Sequence, residues 1–485
     1  CVSQREFRCE SNIFGQSAIK CNEKIGPCKN RHFVDKVRGG IIAVLSISSS
    51  NVQDLFCILS IGGIIGAGIF SMVGTGIATT GRSVALALIV GMIFTMSQQI
   101  RYIFTASMFQ LSGGMYSQNA LVLSPFLAGV SAVVTLVSSV SYSVFGISMA
   151  QYLGDLFPVL EPYQVPVACL VLIFFFIIAS TGAQIFARAI NALGILKFIA
   201  LGLFIVFGFT KVQTGGFEGE PYFINGGVSF LTAVALMSFT CNGATNIINV
   251  QAIAENPKKN IPKAFFIASI LVAGVYFLLG YVASGVAPYD QVAGQNLGYI
   301  AGLVLPGPLA VFFIVGGAMC SLSTALLGGI SGMPFMIIGI AEDGWLPKFF
   351  TKKFNVVVTL AIISILPIIG GFSLDNIVSM MLVPGMAIGA ITNFQAMSMP
   401  ERFPEEWANS GLKCSPTLYR ILMVISIITS LMTSFFSLTS LTLPMAIGTV
   451  IATILIFVWT WYRMKKGYVN ITSTTDMSEE PAQAK

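Results

Sequence analysis

Apolar stretches of about 20 residues recur along nearly the whole chain, divided by short polar turns. A run of that length crosses a lipid bilayer as a helix, whereas barrel strands would alternate over about 10 residues. Of the 485 residues only 9% are charged, against about 25% in soluble domains. The chain therefore reads as an all-α integral membrane protein. Turn signals divide it into about twelve spans, near 54–80, 84–110, 124–152, 163–181, 188–209, 228–252, 263–286, 307–340, 355–372, 376–399, 420–440 and 442–462. The eighth is overlong, about 50 Å if wholly helical.

Charge supports the count and gives an expected orientation. Of 26 Lys and Arg, only Arg82 and Lys211 fall in loops on the side away from the N-terminus. Arg101 and Lys197 lie inside spans, and the rest share the side of the N-terminus. Splitting the eighth span would scatter the later basic clusters, so twelve spans with both termini cytoplasmic satisfy the positive-inside rule. The cytoplasmic membrane is the expected location.

The ends carry little chemistry. Residues 1–53 form a polar tail with Cys1, Cys9, Cys21, Cys28 and the single histidine, His32. No zinc spacing occurs there, and a signal peptide is not evident because no cleavage site follows IIAVLSI at 41–47. Residues 464–485 read as a short polar cytoplasmic tail. Histidine chemistry in the membrane is excluded, no cofactor or nucleic-acid partner is implied, and oligomeric state is not encoded legibly.

Two spans are interrupted. Residues 62–68 read GGIIGAG and residues 240–246 read TCNGATN, although glycine weakens a helix by about 1 kcal/mol. The two lie in spans 1 and 6, five spans apart, so the second five-span unit (228–399) would enter the membrane opposite to the first (54–209), with 420–462 supplying two extra spans. Paired interruptions in such inverted repeats point to a transporter's central site. Bare backbone at that depth is tolerated only where it lines a cavity or meets protein or ligand. Amides at the start of an outer half-helix suit a carboxylate, and carbonyls at the end of an inner one suit an ammonium group. Two breaks side by side would receive a zwitterion. Close packing of small residues at Gly62, Gly63 and Gly66 accounts for the glycines equally well.

Five motifs bear a resemblance to one family. GAGIF at 66–70, SGGMYSQ at 112–118, ARAINALGILK at 187–197, ENPKKNIPKA at 255–264 and AEDGWLPKFF at 341–350 are similar, in order and spacing, to motifs of amino acid–polyamine–organocation permeases. Over 54–463 the resemblance implies a leucine-transporter-like fold of five plus five inverted spans with broken helices 1 and 6. It implies substrate contacts at Ile64, Ile65, Gly66, Ala67 and Gly68, and side-chain selectivity at Phe239, Thr240, Cys241 and Asn242. Cys241 would narrow the pocket, and Tyr142 and Tyr152 would close it or merely pack. The chain departs from the family at Tyr102-Ile103-Phe104-Thr105, where many members carry a glutamate, and at Ile253, where an acidic residue is usual.

Lys197 lies near the centre of span five, and a mid-bilayer charge reads as functional by default. The resemblance implies that its ammonium stands where sodium-coupled relatives hold a sodium ion, meeting carbonyls near Gly63 and hydroxyls of Ser323 and Thr324. Burial disfavours a charged ammonium in general, so a proton carrier and a permanently charged strut fit equally. Arg101 is close enough to the cytoplasmic end of its span to snorkel. The expected function is secondary amino-acid transport by alternating access, driven by protons or by exchange, with a small or medium neutral substrate preferred. A sodium-coupled symporter and a non-transporting nutrient sensor are the alternatives. No carboxylate pair or Ser–His set in the spans supports an enzyme.

Overall fold

The computed structural model describes residues 57, 60–111, 114–181, 184–213, 215–217, 220–253 and 256–471. The N-terminal tail with its cysteines and His32, Asp54, Glu255 and residues 472–485 lie outside the described residues, and so do the expectations that concern them.

The described residues form a multi-pass helical membrane protein. Nine helices among them are long and apolar enough to cross a bilayer, and two shorter apolar ones, Leu196–Phe209 and Lys353–Ile369, accompany them. The chain runs through α1 (Ala67–Thr80), α2 (Val84–Gln98), α3 (Ile100–Met108), α4 (Gly114–Val122), α5 (Pro125–Val137), α6 (Tyr142–Leu156), α7 (Gln164–Thr181) and α8 (Gln184–Phe209). It continues through α9 (Gly226–Thr240), α10 (Pro257–Gly285), α11 (Leu297–Val304), α12 (Cys320–Glu342), α13 (Lys353–Ile369), α14 (Leu374–Ala396), α15 (Pro416–Thr439) and α16 (Leu443–Lys465).

Local chemistry sets several boundaries. α5 and α15 each start with a serine followed by proline; the Ser415 hydroxyl accepts from Leu418 N at 3.2 Å, and Asn296 caps α11 by accepting from Tyr299 N at 2.8 Å. Such caps satisfy one of the amides a helix start leaves free. A single long apolar run, Gly68–Gln98, is divided by a 3-10 turn at Gly81–Ser83, where Gly81 has φ +71°. That conformation costs glycine little and other residues much.

The overlong eighth span is not a uniform helix. A short α-helix, Gly307–Phe312, leads into a π-helical segment, Phe313–Met319, before α12 begins. π segments of this kind concentrate at functional sites, and this one directly precedes Ser321.

Layering follows burial. α9 packs on α1, α2 and α15, α10 on α2, and α8 on the π segment and α12. Only 17% of the apolar window of α16 is buried, against 56% in α14. α16 therefore presents most of its apolar surface outward, where lipid belongs, while α1, α9 and α14 surround the centre.

Arg101 differs from the sequence expectation. It does not reach for an interface but is 2% exposed, donating to Asn119 Oδ1 at 2.7 Å and Asn393 Oδ1 at 3.1 Å. Its guanidinium also stands over the Tyr102 ring, 4.1 Å from the centroid. Carboxamides from α4 and α14 arrive at the same depth, and hydrogen bonds to them replace the water that snorkelling would have supplied.

At the end of α12 the AEDGWLPKFF motif acts as an anchor. Tyr116 Oη donates to Asp343 Oδ2 at 2.7 Å, and Asn470 N donates to Asp343 O at 2.9 Å. Arg463 donates to Gly344 O through Nε at 2.9 Å and Nη2 at 2.6 Å, and to Leu346 O at 3.0 Å. Trp345 is fully buried, packed so closely on Gly129 that a side chain there would overlap its ring. The turn after α12 is thus tied to α4 by Asp343, to α5 by Trp345, to α16 by Arg463 and to the segment after α16 by Asn470.

Candidate functional site

Helical residues Ser60–Ile64 end in a bend at Ile65-Gly66 before α1 begins. Gly66 N donates back to Ile64 O at 2.7 Å, and no side chain caps the start of α1. α9 ends at Thr240, turns through 241–243 and resumes as a 3-10 helix, Ala244–Ile253. Gly243 adopts φ +122°.

These two interruptions touch. A Cβ on Gly243 would lie 2.3 Å from Gly63 O, one on Gly63 2.7 Å from Gly243 O, and one on Gly68 2.5 Å from Thr240 Cα. Backbone therefore meets backbone at two points, Gly63 with Gly243 and Gly68 with Thr240, which glycine permits. Of the glycines named for close packing, Gly63 meets Gly243 and Gly66 lies near Ala325, whereas Gly62 has open space around it.

Side chains satisfy the freed carbonyls. Lys197, 3% exposed, donates from Nζ to Ile65 O at 2.7 Å and Gly62 O at 3.1 Å. Ser321 Oγ lies 3.2 Å from Ile65 O and 3.3 Å from Gly66 O. Tyr276 Oη, on α10, donates to Ile64 O at 2.9 Å with Thr240 O at 3.3 Å, so one hydroxyl spans both interruptions. Ammonium and hydroxyl donors thus occupy the carbonyls that sequence reasoning offered to a substrate amine. The uncapped amides at the start of α1 remain, and they favour an anionic group.

Ser321, rather than Ser323 or Thr324, reaches the bend. Thr324 Oγ1 turns onto its own helix and donates to Ser321 O at 3.0 Å, and Ser323 is half-buried. Cys241 is fully buried, with Sγ 3.6 Å from Leu88 O on α2. Thr240 donates to Met237 O at 2.8 Å, and Phe239 is half-buried. Ile64 and Ile65 are each 1% exposed. Asn242 and Asn246, by contrast, are exposed although they flank the interruption.

One end of α1 is covered. Gly294 N donates to Gly74 O at 2.9 Å, and a Cβ on Gly74 would overlap Gln295 O. Tyr289 Oη donates to Ala78 O and Tyr152 Oη to Phe70 O, each at 2.7 Å. Tyr152 thus holds the first helix. Tyr142 faces α12, with Oη 3.2 Å from Met333 Sδ. Sequence reasoning looked for hydroxyls in SLSTALLG at 321–328 but singled out Ser323 and Thr324 within it, and it passed over Tyr276, a polar residue at an unremarkable position in an apolar span.

No group of three or more His, Cys, Asp and Glu able to hold a metal occurs among the described residues. The amino acid permease family matches residues 54–474. An uncharacterized protein of Methanocaldococcus jannaschii is 27% identical over 305 residues, covering 61% of this chain and 69% of that protein. The branched-chain amino acid permease BcaP of Bacillus subtilis is 25% identical over 321 residues, 61% of this chain and 67% of its own. The methylthioribose transporter of Bacillus subtilis is 25% identical over 317 residues, 61% and 68% respectively. The match over most of the chain, together with its multi-span helical fold, means that this protein belongs to the amino acid permease family of the amino acid–polyamine–organocation superfamily of secondary transporters.

Proposed function

We propose that the protein carries amino acids across the cytoplasmic membrane by alternating access, coupled to protons or to exchange, on twelve spans arranged as a five-plus-five inverted repeat with two further spans and both termini cytoplasmic. The observation that carries this reading is the Lys197 ammonium between the Ile65 and Gly62 carbonyls, at 2.7 and 3.1 Å, where the two interruptions meet. A cation fixed there opposes a sodium ion at the same carbonyls, which favours proton coupling or exchange over sodium symport. Ala67 and Gly68 would contribute the substrate's carboxylate site through the amides at the start of α1, with Ile64, Ile65 and Gly66 shaping the bend before it, and Phe239, Thr240, Cys241 and Asn242 would form its other wall. Lys197 and Ser321 would couple substrate occupancy to the position of the first helix, with Gly63, Ser323 and Thr324 around them.

Alternating access also fits the asymmetry of exposure. Contacts of Gly74 and Ala78 cover the later half of α1, and Asn242 and Asn246 are exposed in and after the turn that meets Gly63, on the other side of the bend. On the proposed orientation this conformation is closed outside and open inside. Names of the relatives include a branched-chain amino acid permease, a methylthioribose transporter and cationic amino acid transporters, so they do not select the charge of the substrate's side chain.

The test is uptake by liposomes holding the purified full chain, with labelled L-alanine, L-serine, L-leucine, L-glutamine and L-lysine. Each is offered with and without a pH gradient or unlabelled substrate inside. Uptake driven by one of these supports the proposal. Uptake that disappears when choline replaces sodium rejects the coupling, and ligand binding without flux rejects transport.

A further inference from the structure

Gln99 sits at the junction of α2 and α3, and its Nε2 donates to Asn242 Oδ1 at 2.7 Å. Gly243 N donates to the same oxygen at 2.8 Å. The backbone amide has no alternative but to donate, so it fixes which end of the Asn242 carboxamide is oxygen. With two donors on that oxygen, the amino group is the end of this exposed side chain left to meet a further acceptor. Gln99 itself is 8% exposed, and its Oε1 is buried without a hydrogen-bond partner. A buried acceptor left unsatisfied costs free energy. Here the cost accompanies a side chain committed to one orientation.

The surroundings make that orientation consequential. Gly243 lies against Gly63, and Tyr276 bridges Ile64 O and Thr240 O just before the turn. Any motion that opens or closes the paired interruptions therefore moves the Asn242 turn relative to α2. Gln98, the neighbour of Gln99, donates to Thr433 Oγ1 at 2.9 Å and Thr429 O at 3.2 Å. α2 is thereby held to α15, and Gln99 presents its amide from a braced helix.

We infer that Gln99 is a positioning residue: it holds Asn242 so that the carboxamide N–H donors, and not the oxygen, meet an acceptor oxygen of the transported solute. This rests on the proposed transport function and deepens it by naming the hydrogen-bonding character of the site. The acceptor is either the solute's carboxylate or a hydroxyl or carboxamide oxygen on its side chain. A cationic side chain gains nothing from this wall.

The experiment compares wild type with Gln99→Glu and Gln99→Met in the liposome assay, each checked first for monodispersity and thermal unfolding. A carboxylate at this position cannot donate to Asn242 Oδ1, and a thioether removes the bond without changing length greatly. Both variants should raise KM by about tenfold, the loss of one hydrogen bond of about 1.4 kcal/mol, with kcat within about twofold of wild type on the same scale. Relative to wild type at each pH, the Gln99→Glu defect should shrink as the medium is acidified, because the protonated acid regains an O–H donor. The Gln99→Met defect should not. An increase shared by L-alanine, L-leucine, L-serine and L-glutamine assigns the contact to the carboxylate; one confined to L-serine and L-glutamine assigns it to the side chain. Folded variants that transport with unchanged KM overturn the inference while leaving the transport reading intact. Wild-type liposomes that carry none of the five overturn the transport reading and this inference with it.

Discussion

Replacing Lys197 with methionine separates its contribution to folding from its contribution to transport. The ammonium makes two bonds to carbonyls, at 2.7 and 3.1 Å, from a side chain 3% exposed. Hydrogen bonds to charged groups contribute about 1.5–3 kcal/mol each, so roughly 3–6 kcal/mol of holding energy is removed. Methionine also removes a buried charge, whose desolvation costs several kcal/mol, and the two terms largely offset. Ile65 O keeps the Ser321 hydroxyl, so Gly62 O is the carbonyl that loses the donor seen here. Global stability should therefore change by no more than about 2 kcal/mol. Transport has no such compensation. If about 3 kcal/mol of the energy fixing the first interruption is lost, kcat/KM should fall about 100-fold. Uptake into liposomes at several pH values, beside thermal unfolding in detergent, reads both quantities. Residual uptake that no longer responds to a pH gradient identifies Lys197 as the proton carrier; loss of all uptake identifies a strut. Wild-type KM and kcat at every pH would refute the reasoning.

The same geometry sets the expected outcome of other substitutions. Gly243→Ala should cut uptake at least tenfold and lower thermal stability by about 2 kcal/mol, because it forces a side chain into φ +122° and against Gly63 O; Gly62→Ala, with open space around it, should be nearly neutral for stability in the same measurements. Tyr276→Phe removes the hydroxyl shared by Ile64 O and Thr240 O and should cost about 1–3 kcal/mol, read as lost uptake and a lower unfolding midpoint. Gly74→Ala should prevent close approach to Gln295 and hold the outer end open. A cysteine introduced for Gln295 should then react faster with an impermeant thiol reagent outside intact liposomes. Arg463→Gln removes the bonds to Gly344 and Leu346 carbonyls and should destabilise by about 2–4 kcal/mol, seen as a lower unfolding midpoint.

The bend at Ile65-Gly66 and the turn at 241–243 fall within the two stretches that glycine and asparagine mark in the sequence, and Lys197 is one of two basic residues, with Arg101, inside the expected spans. The limits of the interruptions were less legible. GGIIGAG spreads over seven letters, yet the bend is confined to Ile65-Gly66 and Ile64 is still helical. Ser321, Ser323 and Thr324 are nearly equivalent as letters. Only the rotation of α12, set by the π segment and by packing on α8, aims Ser321 at the bend. Tyr276 is one of 13 tyrosines, and nothing in its neighbourhood announces a hydroxyl shared between distant carbonyls.

Composition and periodicity alone determined that the chain is helical and spans a membrane, because lipid leaves a backbone no partner but itself and a run of apolar side chains declares that solvent locally. The same letters could not say which donors would repair the exposed carbonyls. Arg101 ends among Asn119 and Asn393, and Gln99 against Asn242, across separations of up to 292 residues. Such pairings form only when helices distant in sequence reach the same depth. Folding decides that by packing whole faces together, and no short stretch of sequence contains it.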